Sequence, residues 1–246
     1  CVRFSLNISN RFGIQARGEV IHVKNDYPFT LKNVTIETPE RRQNNRMNSG
    51  HAEVNFAWSP SSTSQLEGKV YYYDNDRQLP GMVRYYTNNS QETERDRNAF
   101  GQVAFRTSNG QNLWFSSRAK YNWASTRYRD PSYPDGVMDQ DYWQREFYAT
   151  ASLLFKPAKS FAVDYSADFI HNNLNSSEPG DTKPYRNTIL QSLTAKYQHR
   201  GLKAILRGLY TISLNGAKLG EGGHDFHRFS PSVSLSYQLS ARPLLH

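Results

Sequence analysis

His51-Ala52-Glu53-Val54-Asn55-Phe56-Ala57-Trp58 sets Ala52, Val54, Phe56 and Trp58 against His51, Glu53, Asn55 and Ala57. A strand turns successive side chains to opposite faces, so this period of two describes one apolar and one polar side of a sheet. The same beat runs through Val2, Phe4, Leu6 and Ile8, then Ile14, Ala16, Gly18 and Val20, then Leu66, Gly68, Val70 and Tyr72. It returns in Ala99 to Phe105, Leu113 to Trp123, Phe147 to Phe155, Phe161 to Phe169, Leu193 to Tyr197, Leu202 to Tyr210 and Val233 to Leu239. A sheet with one apolar and one wet face, repeated this often, has to close on itself or belong to something closed.

Composition conceals this. A mean hydropathy of -0.77 and a formal charge of +8 suggest a basic soluble chain. A membrane-spanning strand, however, needs only about 9–11 residues and shows lipid every second side chain, which dilutes its hydropathy. No run approaches the roughly 18 apolar residues of a spanning helix. The 16 Tyr and 13 Phe suit strands rather than disorder. The single cysteine, Cys1, forms no intramolecular disulfide. It runs straight into strand-like Val2-Arg3-Phe4-Ser5-Leu6, which fits a gene-fragment boundary better than a lipid-modified terminus.

Connections alternate in length. Short turns are expected near Phe12-Gly13, Ser59 to Ser64, Ser108-Asn109-Gly110-Gln111, Pro157-Ala158-Lys159, His199-Arg200-Gly201 and Ser240 to Pro243. Asn109-Gly110 reads as a tight turn because both residues tolerate positive φ. Long polar stretches are expected at about residues 25–45, from 74 onward, and at 129–141, 172–185 and 215–224. Tight turns at one end and long loops at the other mark an outer-membrane barrel; a soluble sandwich has no reason to segregate them. Aromatics on the apolar face gather near the short turns (Trp58, Phe105, Phe115, Phe155, Phe161, Tyr197, Tyr237) and toward the long loops (Tyr72, Trp123, Phe169, Tyr210), as two interfacial girdles would. The fold class is therefore all-β, a transmembrane antiparallel up-and-down β-barrel. Eleven strands are readable and a twelfth is expected from Leu244-Leu245-His246. Since bacterial single-chain barrels have even strand numbers and tolerate no raw edge in lipid, 11–12 strands read as about half of a larger barrel.

The run Tyr71-Tyr72-Tyr73-Asp74-Asn75-Asp76-Arg77-Gln78-Leu79-Pro80-Gly81 resembles the barrel of TonB-dependent outer-membrane receptors, as do Ala99-Phe100-Gly101-Gln102-Val103-Ala104-Phe105 and residues 228–237. The likeness is greatest to the vitamin B12 (cobalamin) receptor-like branch of Bacteroidetes type. The resemblance implies a barrel of roughly 22 strands filled by a plug domain. It also implies residence in the bacterial outer membrane, contact with outer-membrane lipid, and dependence on the TonB complex, with a surface-exposed lipoprotein as a further partner. Residues 1–246 are expected to be one partial barrel domain without a plug-like domain or the segment on which TonB pulls.

The polar face carries Arg3, Arg17, Lys69, Arg106, Arg118, Lys120, Lys196, Lys203 and Arg207 with Glu19, Glu53, Glu67, Asp164 and Asp168. Because the cations follow strand periodicity instead of a stripe interleaved with stacking aromatics, nucleic acid is not expected as a partner. Arg77, Arg84, Tyr85 and Tyr86 in the second long loop, and Tyr128, Tyr133, Tyr142 and Trp143 around the third, offer charged donors and ring faces to a large polar ligand. Asp130, Asp135, Asp139 and Asp141 supply hard oxygens for Ca²⁺ in an extracellular loop, without calcium-loop spacing. No other cofactor is expected. His224 and His227 lack further zinc ligands, and His171 lacks a nucleophile elbow, so no catalytic residues are assigned. The functional expectation is the barrel of a receptor importing a scarce nutrient (cobalamin, a siderophore or a similar large chelate). The alternatives are a self-contained 12-stranded passive porin or adhesin and a soluble β module.

Overall fold

The alternation becomes one continuous sheet. A computed structural model describes residues 1–33, 35–81 and 90–238. Its strands are β1 (Val2–Ser9), β2 (Phe12–Val23), β3 (Pro28–Asn33), β4 (Ile36–Arg41), β5 (Met47–Ser61), β6 (Ser64–Gln78), β7 (Thr93–Ser108), β8 (Leu113–Asp130), β9 (Met138–Ala158), β10 (Phe161–Ser176), β11 (Pro184–His199), β12 (Leu202–Ala217) and β13 (Phe226–Tyr237). Eleven strands form one antiparallel sheet in the order β1-β2-β5-β6-β7-β8-β9-β10-β11-β12-β13. Among the described residues each of these strands touches only its neighbours in that order, which leaves β1 and β13 as the edges of the sheet.

No apolar side chain among the described residues is buried. Phe161, Tyr165 and Phe169 are 38%, 43% and 37% exposed, and their neighbours Leu193, Leu206 and Val233 are 54%, 57% and 75% exposed. Among the described residues no second layer packs on this face. The opposite face is polar and partly self-satisfied: Lys69 pairs with Glu53 at 2.6 Å, and His51, Tyr71 and Phe100 stack across β5, β6 and β7 with centroids 6.0 and 5.0 Å apart. Lys120 lies 4.7 Å from the Phe100 centroid. Side chains of Asn7, Phe12, Asn55, Lys69, Gln102 and Arg118 border a cavity of about 730 Å³ toward the short turns.

The described turns confirm the alternation of lengths and correct its details. The first turn is Asn10-Arg11, not Phe12-Gly13: Phe12 already pairs with Ser9 and Trp58. At residues 200–201 both φ are positive (46° and 84°), the geometry of a two-residue hairpin. Residues 109–112 behave differently, since only Gly110 is left-handed, at φ 76°. Asn109 Oδ1 instead accepts the backbone N–H groups of Gln111, Asn112 and Leu113 at 2.9–3.0 Å, building a wider turn.

The polar stretch 25–45 is not a plain loop, because it folds into the hairpin β3–β4. Lys32 and Glu37 face each other across it at 2.7 Å, and Arg41 reaches Asp26 at 2.6 Å. Several long strands also outrun the apolar alternation: β8 reaches Asp130, β9 starts at Met138, β10 reaches Ser176 and β12 reaches Ala217. Much of the expected third loop is therefore strand. The turn expected at Ser240 to Pro243 and the strand expected from Leu244 lie outside the described residues.

Candidate ligand site at the long-loop rim

The extension of β6 to β9 past the aromatic level lifts polar side chains toward the long connections. Register sorts them by face. Arg77, Glu94, Tyr128 and Gln140 form one row of the polar face, and Asn75, Asp96, Thr126 and Tyr142 form the next. Three of the residues singled out from the sequence, Arg77, Tyr128 and Tyr142, thus meet in one patch.

Hydrogen bonds hold the patch in shape. Arg77 pairs with Glu94 and lies 3.6 Å from Asp96, whose carboxylate accepts Thr126 Oγ1 at 2.8 Å. Tyr128 donates to Glu92 at 2.9 Å, and Tyr142 donates its single hydroxyl proton to Glu178, with the Gln140 amide oxygen also within 3.3 Å. Asn44, at φ 52°, donates to the carbonyls of Leu79 and Glu92 at 2.8 and 2.9 Å, and Arg42 donates to the Gly81 carbonyl at 2.8 Å. These bonds tie the first long connection to the second. Burial and then the Glu92 carboxylate push the Tyr128 phenol up to about 12, so it is a neutral donor at physiological pH. Asn75 is 4% exposed, and its Oδ1 and the Arg77 Nε lack hydrogen-bond partners. Carboxylates, phenols and an incompletely satisfied guanidinium thus share one polar surface that offers both donors and acceptors.

Other expected residues do not join it. Trp143 projects from the apolar face, opposite Ser125 and Asn175. Tyr133 is 44% exposed in the connection 131–137. Arg84, Tyr85 and Tyr86 lie outside the described residues. The four aspartates are dispersed: Asp130 accepts the Ser132 N–H at 2.8 Å, Asp139 receives a two-pronged contact from Arg127 at 2.8 and 2.6 Å, and Asp141 shares the apolar-face side with Asp139. No group of three or more metal-binding side chains occurs among the described residues. Glu92, Glu94, Asp96, Thr126 and Asn44 were missed. Their signal was the charge alternation Glu94-Arg95-Asp96-Arg97, acid to one face and base to the other.

No protein-family profile matches the sequence, and no curated protein does. Solved structures do. The copper transporter OprC aligns over 95% of this chain and 40% of its own with a TM-score of 0.65 at 12% identity. The siderophore receptor PiuA from Acinetobacter baumannii aligns over 96% and 43% with a TM-score of 0.59 at 8% identity. The ferric citrate transporter FecA aligns over 97% and 42% with a TM-score of 0.57 at 11% identity. This chain therefore spans about two-fifths of the length of these proteins. Its eleven-stranded antiparallel sheet shares its fold with part of each of these three proteins.

Proposed function

We propose that this chain is part of the barrel wall of a TonB-dependent receptor in the bacterial outer membrane. In this reading the apolar face meets lipid, the polar face meets a plug domain and the water-filled lumen, and the Arg77–Tyr128–Tyr142 patch meets the nutrient on its way in. The observation that carries the reading is the open eleven-stranded sheet, none of whose apolar side chains is buried among the described residues. Such an apolar face is stable only against hydrocarbon.

The self-contained porin is less well supported. Among the described residues β1 and β13 run in the same direction, so pairing these two edges directly would make a parallel seam, and they do not touch; the twelfth strand that a 12-stranded porin needs lies outside the described residues. For substrate, the neighbours described as copper, siderophore and ferric citrate proteins favour a metal or its chelate, and cobalamin shares that class. The test is saturable binding of ferric siderophores and cobalamin to the purified protein. Arg77→Ala and Tyr128→Phe are expected to weaken binding of the true ligand about tenfold each, the worth of one charge-assisted hydrogen bond. A steady open pore in planar bilayers with no saturable ligand would overturn the proposal.

A further inference from the structure

Just beyond the aromatic level at the long-loop end, the apolar face carries a second built feature. Trp123 of β8 lies between two arginines: the Arg97 guanidinium of β7 is 5.4 Å from its ring centroid, and Arg145 of β9 is its direct cross-strand neighbour. One step further out, Ser125 sits in register between Arg97 and Trp143. Ser125 is 5% exposed and its hydroxyl has no partner, and the Arg97 Nε is likewise buried and unpartnered. Groups buried in that state carry a standing free-energy penalty that an acceptor would relieve.

The charges around the feature are mixed but unevenly satisfied. Asp74, the cross-strand neighbour of Arg97, forms its ion pair with Arg95 at 2.6 Å, and Asp139 forms its pair with Arg127 at 2.6 Å. Asp76, Asp141 and Arg129 lie in the rows further out. Arg97 and Arg145, nearest the aromatic level, form no ion pair among the described residues. Arg145 stands two strands from Arg97 and two residues below it in register, about 12 Å from backbone to backbone, a gap that two extended arginine side chains span to a shared anion above Trp123. Below it, exposed Tyr121 and Phe147 continue the apolar stripe.

The geometry points to a site for the phosphate of a lipid headgroup, held by Arg97, Arg145 and the Ser125 hydroxyl, with the acyl chains against Trp123, Tyr121 and Phe147. This rests on the barrel reading. Guanidinium groups match phosphate geometry with paired N–H donors, and indoles favour the headgroup level. The occupant is a membrane lipid, because the unsatisfied donors open on the face that meets hydrocarbon one row below.

The experiment is fluorescence quenching of the protein in phosphatidylcholine vesicles containing an equal mole fraction of brominated phosphatidylglycerol or brominated phosphatidylcholine. The Trp123 contribution is the difference from Trp123→Phe. The anionic lipid is expected to be enriched at Trp123 by about fivefold per arginine. Arg97→Gln with Arg145→Gln should abolish that preference, and Arg145→Lys should retain part of it. Equal quenching by the two lipids in the wild type, an unchanged preference in the double variant, or loss of the preference to inorganic phosphate would overturn the lipid site. No quenching by either lipid would instead overturn the barrel reading itself.

Discussion

A single arginine placed on one face or the other of β11 tests the membrane assignment directly. Leu193 is 54% exposed on the apolar face, and its cross-strand neighbours are Tyr165 and Gly208. It lies four residues from Tyr197, in the girdle near the short turns. At ~3.4 Å per residue this is about 13 Å along the strand, or about 10 Å of depth at a tilt of ~40°. In an apolar band about 25 Å tall, Leu193 is then close to the midplane, where an arginine costs about 2–4 kcal/mol. Ser192, next in sequence, turns to the polar face between Ser166 and Leu209, where Lys196 and Arg207 already reside. Leu193→Arg is expected to lower stability by about 2–4 kcal/mol and Ser192→Arg by less than about 1 kcal/mol. The assay is equilibrium guanidinium unfolding of the protein reconstituted in phosphatidylcholine vesicles. If the two variants lose the same stability, or Ser192→Arg loses more, Leu193 does not face hydrocarbon and the argument fails.

Three further outcomes follow from local geometry. The Phe56 ring covers Gly68 on the neighbouring strand so closely that a Cβ there would collide with it; Gly68→Ala should cost about 1 kcal/mol in the wild type and almost nothing in a Phe56→Ala background, measured as a double-mutant cycle. Hydrogen bonding to Arg127 holds the Asp139 carboxyl below its ordinary value, so the pair's contribution is present above the unfolded pKa of about 3.9 and disappears as pH falls through the lower folded value. Because Asp139 and Arg127 are 35% and 52% exposed, that contribution is under about 1 kcal/mol, and Asp139→Asn should flatten only this acid limb of the unfolding free energy. The Tyr128 phenol, pushed up to about 12, should ionise later than ordinary tyrosines in an ultraviolet titration, the late component vanishing in Tyr128→Phe and moving earlier in Glu92→Gln. Its folded value is raised, so its contribution is complete below about pH 10 and is lost as pH climbs through the folded value.

Legibility in the sequence followed the apolar face. Within the span, every second residue has to be apolar, and Val163, Tyr165, Leu193 and Leu206 declare their side without help. Past Tyr72 and Trp123 both faces are wet, the apolar signal ends, and strands that continue look like loops. Only charge alternation survives there, and Glu94-Arg95-Asp96-Arg97 displays it. Trp143 was grouped with Tyr142 by proximity in sequence, although adjacent strand residues point to opposite faces. The hairpin β3–β4 was hidden for another reason: Pro28 and Pro39 and its many charges read as breakers, while its pairing rests on cross-strand contacts such as Lys32 with Glu37. The run Tyr71 to Gly81 already carried a resemblance to large outer-membrane receptors, and the coordinates extend a likeness in fold to nearly the whole chain at only 8–12% identity.

Strand parity connects the wall to its closure. In an antiparallel sheet the first and eleventh strands point the same way, so β1 and β13 offer edges that no single copy of this sheet can join antiparallel. A second copy fares no better, because the side of the long connections fixes its orientation, and its β1 would again run parallel to β13. Antiparallel closure therefore requires an odd number of further strands between the two edges, and a further eleven give the even total of 22 found in large outer-membrane transporters. An unpaired edge in hydrocarbon costs several kcal/mol for each unsatisfied backbone group. In the proposed barrel, Val2, Phe4, Leu6 and Ile8 on β1, 46–75% exposed, and Val233, Leu235 and Tyr237 on β13, 62–75% exposed, reach lipid only together with partner strands. The lipid-facing alternation at both edges is what those partner strands must continue.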